Sequence, residues 1–328
     1  MTAEETFGGI HHVTAITGDA AGNVAFYTRV LGLRLVKKTV NQDDVSAYHL
    51  FYGDTVGHPG TEVTFFHWPA AQKNGPGHGT VARVALAVPG EDALVWWGKR
   101  LAELGVVHEA PEEVAGQRRL LFTDPEGQRL ELLAAGSGAR PELVPWAGSD
   151  VPPEMAIRGI AAITLEVAAT GPTLSLLTGL LGFRRVTAYA DRGAAVTLLE
   201  CGPGGTGTQV RLAVPRLARR GAPGVGGVHH VAFRTAADDT QQLWHRRLLQ
   251  TGLPVSGIID RYYFRSVYFR EPGGVLCEIA TDGPGFATDE PAERLGEGLA
   301  LPPFLEPRRA EIEAGLPPLD TRAGAADA

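Results

Sequence analysis

Cysteine is nearly missing: the chain of 328 residues has only two, Cys201 and Cys277. That excludes a disulfide-stapled scaffold and makes a reducing cytoplasm the expected compartment. Long apolar runs are missing too. No stretch approaches the roughly 18 residues of a membrane span, and the opening M-T-A-E-E-T lacks the basic and apolar regions of a signal peptide. Basic excess is also lacking. The 30 Lys and Arg stand against 37 Asp and Glu, a formal net charge of −7, which argues against a nucleic-acid partner because the phosphate backbone needs a basic footprint. Glycine (42) and proline (23) are plentiful, as expected of a sheet-rich fold with many tight turns. The length suits about two domains, each able to bury a proper core.

The organising feature is an internal repeat. F-Y-T-R-V-L-G-L-R-L-V (26–36) matches L-L-T-G-L-L-G-F-R-R-V (176–186) at an offset of 150, which also lays Ile10 on Ile160 and Thr14 on Thr164. A second pair aligns at an offset of 147: Trp97 on Trp244, Gly105 on Gly252, and F-T-D-P-E-G-Q-R-L-E-L (122–132) on F-R-E-P-G-G-V-L-C-E-I (269–279). The chain therefore reads as four modules. Each opens with a short strand, continues with a helix of about ten to twelve residues whose apolar positions recur at three- and four-residue spacing, and stops that helix at a glycine: Gly32, Gly105, Gly182 or Gly252. Three strands follow, the last two joined by D-P-E-G or E-P-G-G turns. The expected class is α+β, βαβββ four times, with modules one and two in 1–150, modules three and four in 151–282, and a Pro- and Gly-rich tail in 283–328. Linkers are expected at 70–78, 135–154 and 216–226. In the tail only 308–316 looks helical, and the last residues are expected to be loose.

Two of the four opening strands carry a histidine pair: G-I-H-H-V-T-A-I-T (9–17) and G-V-H-H-V-A-F-R-T (227–235). The repeat supplies a control. His11 and His12 fall on Ala161 and Ala162, and His229 and His230 fall on Ala82 and Arg83. The scaffold builds the same strand without histidine, so the histidines answer to something other than architecture. Glu278 lies inside the apolar strand V-L-C-E-I-A, where an unpaired carboxylate is costly to bury. Its counterpart Glu131 has Arg83 where Glu278 has His230, so Arg83 and Glu131 are expected to form an ion pair in place of a metal. Two imidazoles and one carboxylate with open positions suit a non-haem Fe(II) oxygenase. Strand alternation turns the members of each pair to opposite faces, and periodicity leaves open which member binds.

The four modules, the two histidine pairs and the glutamate of the final strand resemble the vicinal oxygen chelate superfamily. Within it they are most similar to ring-cleaving dioxygenases of the hydroquinone and chlorohydroquinone type. The resemblance covers nearly the whole chain, including L-P-P-F-L-E-P-R-R-A-E-I-E-A-G-L-P-P-L near its end. It implies two halves, each a pair of curved mixed sheets, and implies Fe(II), with Mn(II) as the second candidate, held by His12, His230 and Glu278. It further implies that His11 and His229 face the substrate and that Thr14, Arg261 and Tyr268 lie near the metal. One ligand in module one and two in module four require those modules to pair around the site, leaving modules two and three as a metal-free support.

The implied reaction opens a dihydroxylated aromatic ring with O₂. His229 is then the expected general base, His11 and Thr14 position the substrate, and Arg261 stabilises developing negative charge. On the residues alone, Arg261 reads equally as a strand-edge charge, Tyr268 as a core tyrosine and Thr14 as structural. His49, His58, His67 and His78 read as surface or turn residues, Gly202–Thr208 as a loop, and Cys277 as pointing away from the metal. Two further classes stay open: a glyoxalase-type isomerase or thiol transferase, and a small-molecule-binding protein. The expected partners are a small aromatic molecule and O₂, without nucleic acid or membrane, in a dimer or tetramer.

Overall fold

The structure, a computed structural model, describes residues 6–135, 143–216 and 219–321. The parts of the expected linkers at 136–142 and 217–218, and the tail end from 322 on, lie outside the described residues. Module one contains strand β1 (Ile10–Thr17), helix α1 (Ala20–Ala25, continued by a π-helical turn to Val30), and strands β2 (Arg34–Asn41), β3 (Asp44–Gly53) and β4 (Glu62–His67). Module two contains β5 (Thr80–Val88), α2 (Glu91–Glu103), β6 (Glu112–Val114), β7 (Gln117–Thr123) and β8 (Arg129–Ala134). Module three contains β9 (Ile160–Glu166), α3 (Thr170–Ser175, with a π-helical turn to Leu180), β10 (Arg184–Asp191), β11 (Ala194–Glu200) and β12 (Gln209–Val214). Module four contains β13 (Gly227–Thr235), α4 (Asp238–Leu249), β14 (Ile259–Asp260), β15 (Arg265–Arg270) and β16 (Leu276–Thr281). The βαβββ unit is present four times.

Local chemistry explains the punctuation. α1 and α3 each run into a π-turn and end at Gly32 and Gly182, whose φ values of 70° and 72° place them in the left-handed region that glycine occupies without Cβ strain. The D-P-E-G turn is closed by Asp124, whose Oδ1 accepts from the backbone N–H of Glu126 and Gln128 at 3.0 and 2.8 Å. Its repeat mate Glu271 accepts from Gly273 and Val275 in the same way. α2 and α4 bury Trp97 and Trp244 completely against the sheets. Phe7 stacks on Trp244 at 4.6 Å between ring centroids.

The strands form two eight-stranded mixed sheets that combine modules across the chain. One runs β14-β15-β16-β13-β1-β4-β3-β2 and joins modules four and one. The other runs β10-β11-β12-β9-β5-β8-β7-β6 and joins modules three and two. In both, the opening strands of the two modules pair antiparallel at the centre, β1 with β13 and β5 with β9. The repeats therefore follow the chain, while the sheets pair its two ends around one centre and its middle around another.

The tail returns to module one. Its helix α5 (Arg309–Gly315) follows a short 3-10 turn. Arg34 donates to the carbonyls of Ala292 and Glu293. Lys37, fully buried, reaches Asp289 at 2.7 Å and also Glu290.

Candidate metal centre

The histidine pairs owe their geometry to β-bulges. Along β1 and β13, Ile10 lies opposite Phe233 but His12 opposite Ala232; Thr14 lies opposite His230 but Ala15 opposite Val228. The extra residues are His11 and His229. A bulge sets two residues against one and breaks the alternation of faces, so both rings of each pair turn to the same side. His11 Nδ1 stands 3.0 Å from His12 Nδ1, and His229 Nδ1 stands 2.8 Å from His230 Nδ1. The other sheet has the same register steps, at Ala82 and Ala161. The bulge belongs to the scaffold, and the histidines are an addition to it.

His12, His230 and Glu278 converge. Their candidate ligand atoms all lie within 4.8 Å of one another, and all three residues are buried. Glu278 Oε2 is 3.3 Å from His12 Nε2 and 2.9 Å from His230 Nε2. Its other oxygen, Oε1, accepts from the Ser266 hydroxyl at 2.6 Å. Proton accounting decides what Oε2 faces. His11 Nε2 lies 3.1 Å from the Thr281 carbonyl, which only accepts, so His11 carries its proton on Nε2. His11 Nδ1 is then an acceptor, and the proton between the two rings belongs to His12 Nδ1. That leaves a lone pair on His12 Nε2 pointed at Glu278 Oε2, a buried oxygen without a well-aligned hydrogen bond. Lone pair facing lone pair in a dry site is the arrangement a cation resolves.

The charge states agree. Burial lowers the pKa of His230 and, with the neighbouring His12, drives that of His11 well below the usual imidazole range. Burial, with His230 beside it, lowers that of His229 to about 3. Burial alone would raise Glu278; positive charge on the His12 and His230 side holds it well below the ordinary carboxylate range, and with both imidazoles neutral that charge is what a bound cation would supply. A second grouping, His11, His12 and Glu62, is also compact. Glu62 makes the poorer ligand, because burial and neighbouring acids push its pKa well up and favour the neutral carboxyl.

His229 gives a pH prediction with a fixed sign. Its folded value of about 3 lies below the unfolded imidazole value, so its contribution to stability is complete above roughly pH 6.5 and is lost as pH falls towards 3. In urea unfolding of metal-free protein, the wild type should lose about 1–2 kcal/mol relative to His229→Phe between pH 7 and 4.5, after discounting for partial solvation. A difference that does not change with pH would contradict the assignment.

The open side of the triad is a pocket walled by His12, His230, His49, Phe66, Arg261 and Tyr268, among others. Tyr268 lies directly opposite Glu278 across β15 and β16 and meets the His230 ring edge-on at 5.7 Å. Burial and Glu278 push its phenol pKa up, so it stays protonated. Arg261 stacks over Tyr268 at 5.5 Å and is anchored to Asp43 at 2.7 Å. The remaining predicted residues stand off the wall. His11 lies behind His12. His229 packs against Phe66 and Trp68, its Nδ1 on His230. Thr14 is fully buried and is bonded to Thr64 at 2.8 Å.

One wall residue corrects the sequence reading. His49 is not a surface residue: it lines the pocket from β3, its Nε2 3.0 Å from Thr64 Oγ1. Its repeat counterpart by strand pairing is Val196, and it alternates with Ala47 and Phe51, a pattern that marks an inward position. His67 is likewise buried rather than exposed, whereas His58 sits at a turn, paired with Asp54 at 2.6 Å.

The counterpart centre in the other sheet departs from the expected ion pair. Glu131 is held not by Arg83 but by Arg211, whose Nη1 reaches both carboxylate oxygens at 2.8 Å. Arg211 pairs with Thr164 on β9 just as Thr64 pairs with Thr14 on β1, so it enters from the neighbouring strand and lies nearer. Arg119, the repeat counterpart of Ser266, stands 3.8 Å away on the other side. Guanidinium groups fill the charge role that a metal would have.

Comparison with known proteins agrees with this architecture. The profile of the Glyoxalase/Bleomycin resistance protein/Dioxygenase superfamily matches residues 9–132 and 159–279. A Bacillus subtilis protein provisionally named ring-cleaving dioxygenase MhqA is 46% identical over 95% of this chain and 98% of its own length. The chlorohydroquinone/hydroquinone 1,2-dioxygenase of Sphingobium indicum is 32% identical over 95% of this chain and 97% of its own. A B. subtilis crystal structure described provisionally as a dioxygenase superposes with a TM-score of 0.88 at 40% identity, covering 96% of this chain and 98% of that one. With both halves of the chain matched and ring-cleaving dioxygenases among its full-length relatives, this protein belongs to the Glyoxalase/Bleomycin resistance protein/Dioxygenase superfamily.

Proposed function

We propose that the protein is an Fe(II)-dependent dioxygenase that opens a dihydroxylated aromatic ring of the hydroquinone or catechol type, with His12, His230 and Glu278 as the metal ligands. The observation that carries this reading is the convergence of the triad: Glu278 Oε2 stands 3.3 Å from His12 Nε2 and 2.9 Å from His230 Nε2, and the open side gives onto a pocket. Two neutral imidazoles and one carboxylate make up the ligand set of non-haem iron oxygenases; Mn(II) is the second candidate. Bound there, the metal would supply adjacent positions at which a phenolic oxygen and O₂ meet. The hydroquinone class is supported by the printed name of the Sphingobium indicum relative.

The chain's own groups divide the remaining work. Arg261, held by Asp43, faces charge that develops on the ring oxygens. Tyr268, kept protonated, donates from the other side. His49 presents its remaining ring nitrogen to the pocket, oriented by Thr64 and Thr14. His11 and His229 hold the ligand imidazoles in the tautomer that aims Nε2 inward. His229 Nδ1 is engaged by His230 Nδ1, so we assign His229 to orientation rather than proton abstraction. Two buried free thiols support a reducing cytoplasm as its location.

The test is metal analysis of protein purified without oxygen, followed by O₂ uptake with hydroquinone and catechol. Iron with substrate-dependent uptake is expected. Another divalent metal without uptake would turn the reading towards a glyoxalase-type isomerase.

A further inference from the structure

The half without histidines has a cavity of its own, about 250 Å³, between modules two and three. Four of its lining residues, Arg83, Asp191, Arg192 and Ala213, are the repeat counterparts of His230, Asn41, Gln42 and Phe66 in the candidate pocket. It is a second pocket that duplication placed at the matching site, with different chemistry. Replacing a phenyl ring by Ala213 opens room, and four arginines (Arg83, Arg129, Arg192 and Arg216) now line it against two carboxylates, Asp191 and Glu166. This basic concentration sits in a chain of net charge −7.

Existing bonds identify which of these charges remain available. Asp191 is taken by Arg119, both oxygens at 2.7 Å. Arg192 is held by Glu109, and Arg129 stands 3.7 Å from Glu166. Arg83 and Arg216 have neither a hydrogen bond nor an ion pair among the described residues. Arg83 is partly buried, and burial lowers its pKa although Glu131 nearby opposes the shift. Its guanidinium donors face the cavity without a protein acceptor among the described residues, and an oxyanion can satisfy them in bidentate fashion.

We propose that this cavity binds a small oxyanion of the carboxylate or phosphate type, with Arg83 as the bidentate anchor and Arg216 as the second cationic contact. The planar fork of Arg83 matches either group. The inference does not depend on the metal or on the reaction at the other centre.

The experiment is titration calorimetry of the full-length protein with maleate and, separately, inorganic phosphate, at constant ionic strength against chloride. Saturable binding of at least one anion is expected, weakened at least tenfold in Arg83→Gln and at least several-fold in Arg216→Ala. The tighter anion identifies the head group. Because Arg83 has no protein partner to lose, Arg83→Gln should fold with an unchanged circular-dichroism spectrum and a melting temperature no lower than that of the wild type. Absence of binding by both anions, or equal affinity in wild type and both variants, would overturn the proposal. So would a marked fall in the melting temperature of Arg83→Gln, which would make Arg83 a structural partner.

Discussion

Glu278→Ala should strip the metal from the protein and lower ring cleavage by about a thousandfold or more, because it removes the single carboxylate on which both imidazoles converge. Glu278→Gln should do nearly as much while preserving shape, since the loss is of charge and of a strong donor atom. Ser266→Ala offers the graded control. Ser266 donates to Glu278 Oε1 at 2.6 Å, so its loss should cost about 10- to 100-fold in metal affinity, as for other groups that orient a ligand. Metal content after dialysis, read beside turnover, checks the ranking. If Ser266→Ala were as severe as Glu278→Ala, or Glu278→Gln kept full metal content, the carboxylate would not be a ligand.

The second large effect lies in the metal-free sheet. Arg211→Met should destabilise the protein by about 3–5 kcal/mol, because Glu131 is fully buried and would lose the guanidinium nitrogen that bonds both its oxygens. Arg119 is poorly placed to substitute: its nitrogens are already engaged by Glu112 and Asp191, and it lies 3.8 Å from Glu131. The double variant Arg211→Met with Glu131→Leu should recover to within about 1 kcal/mol of the wild type, since removing both charges removes the desolvation penalty. Urea unfolding of both variants measures this. A cost below about 1 kcal/mol for the single change would mean that Glu131 is protonated or otherwise satisfied, and that the guanidinium group does not replace a metal there.

Much of this was legible in the sequence because duplication wrote its own control. The offsets of 150 and 147 set both histidine pairs against Ala161, Ala162, Ala82 and Arg83, and that contrast marks the pairs in the sequence, while the choice of His12 and His230 within them comes from the family resemblance. What periodicity hid was the bulge. Simple alternation sends His11 and His12 to opposite faces, whereas the extra residue at His11 brings their Nδ1 atoms to 3.0 Å. The first histidine of each pair lies against its neighbour's ring and is not among the residues that wall the pocket. Arg211 is hidden for a different reason: repeat counterparts point to Arg83 within the same module, whereas the partner of Glu131 arrives across the module boundary on β12. No carboxylate accompanies His49 in the sequence, although its alternation with Phe51 and its apolar counterpart Val196 point inward.

The most direct test is an anomalous difference map from crystals of protein loaded with Fe(II) without oxygen, or with Mn(II) as a stable substitute. One strong peak per chain is predicted, at bonding distance from His12 Nε2, His230 Nε2 and Glu278 Oε2 together. A peak at His11 and Glu62 instead, or no peak within reach of all three atoms, would contradict the joining of modules one and four through a single ion.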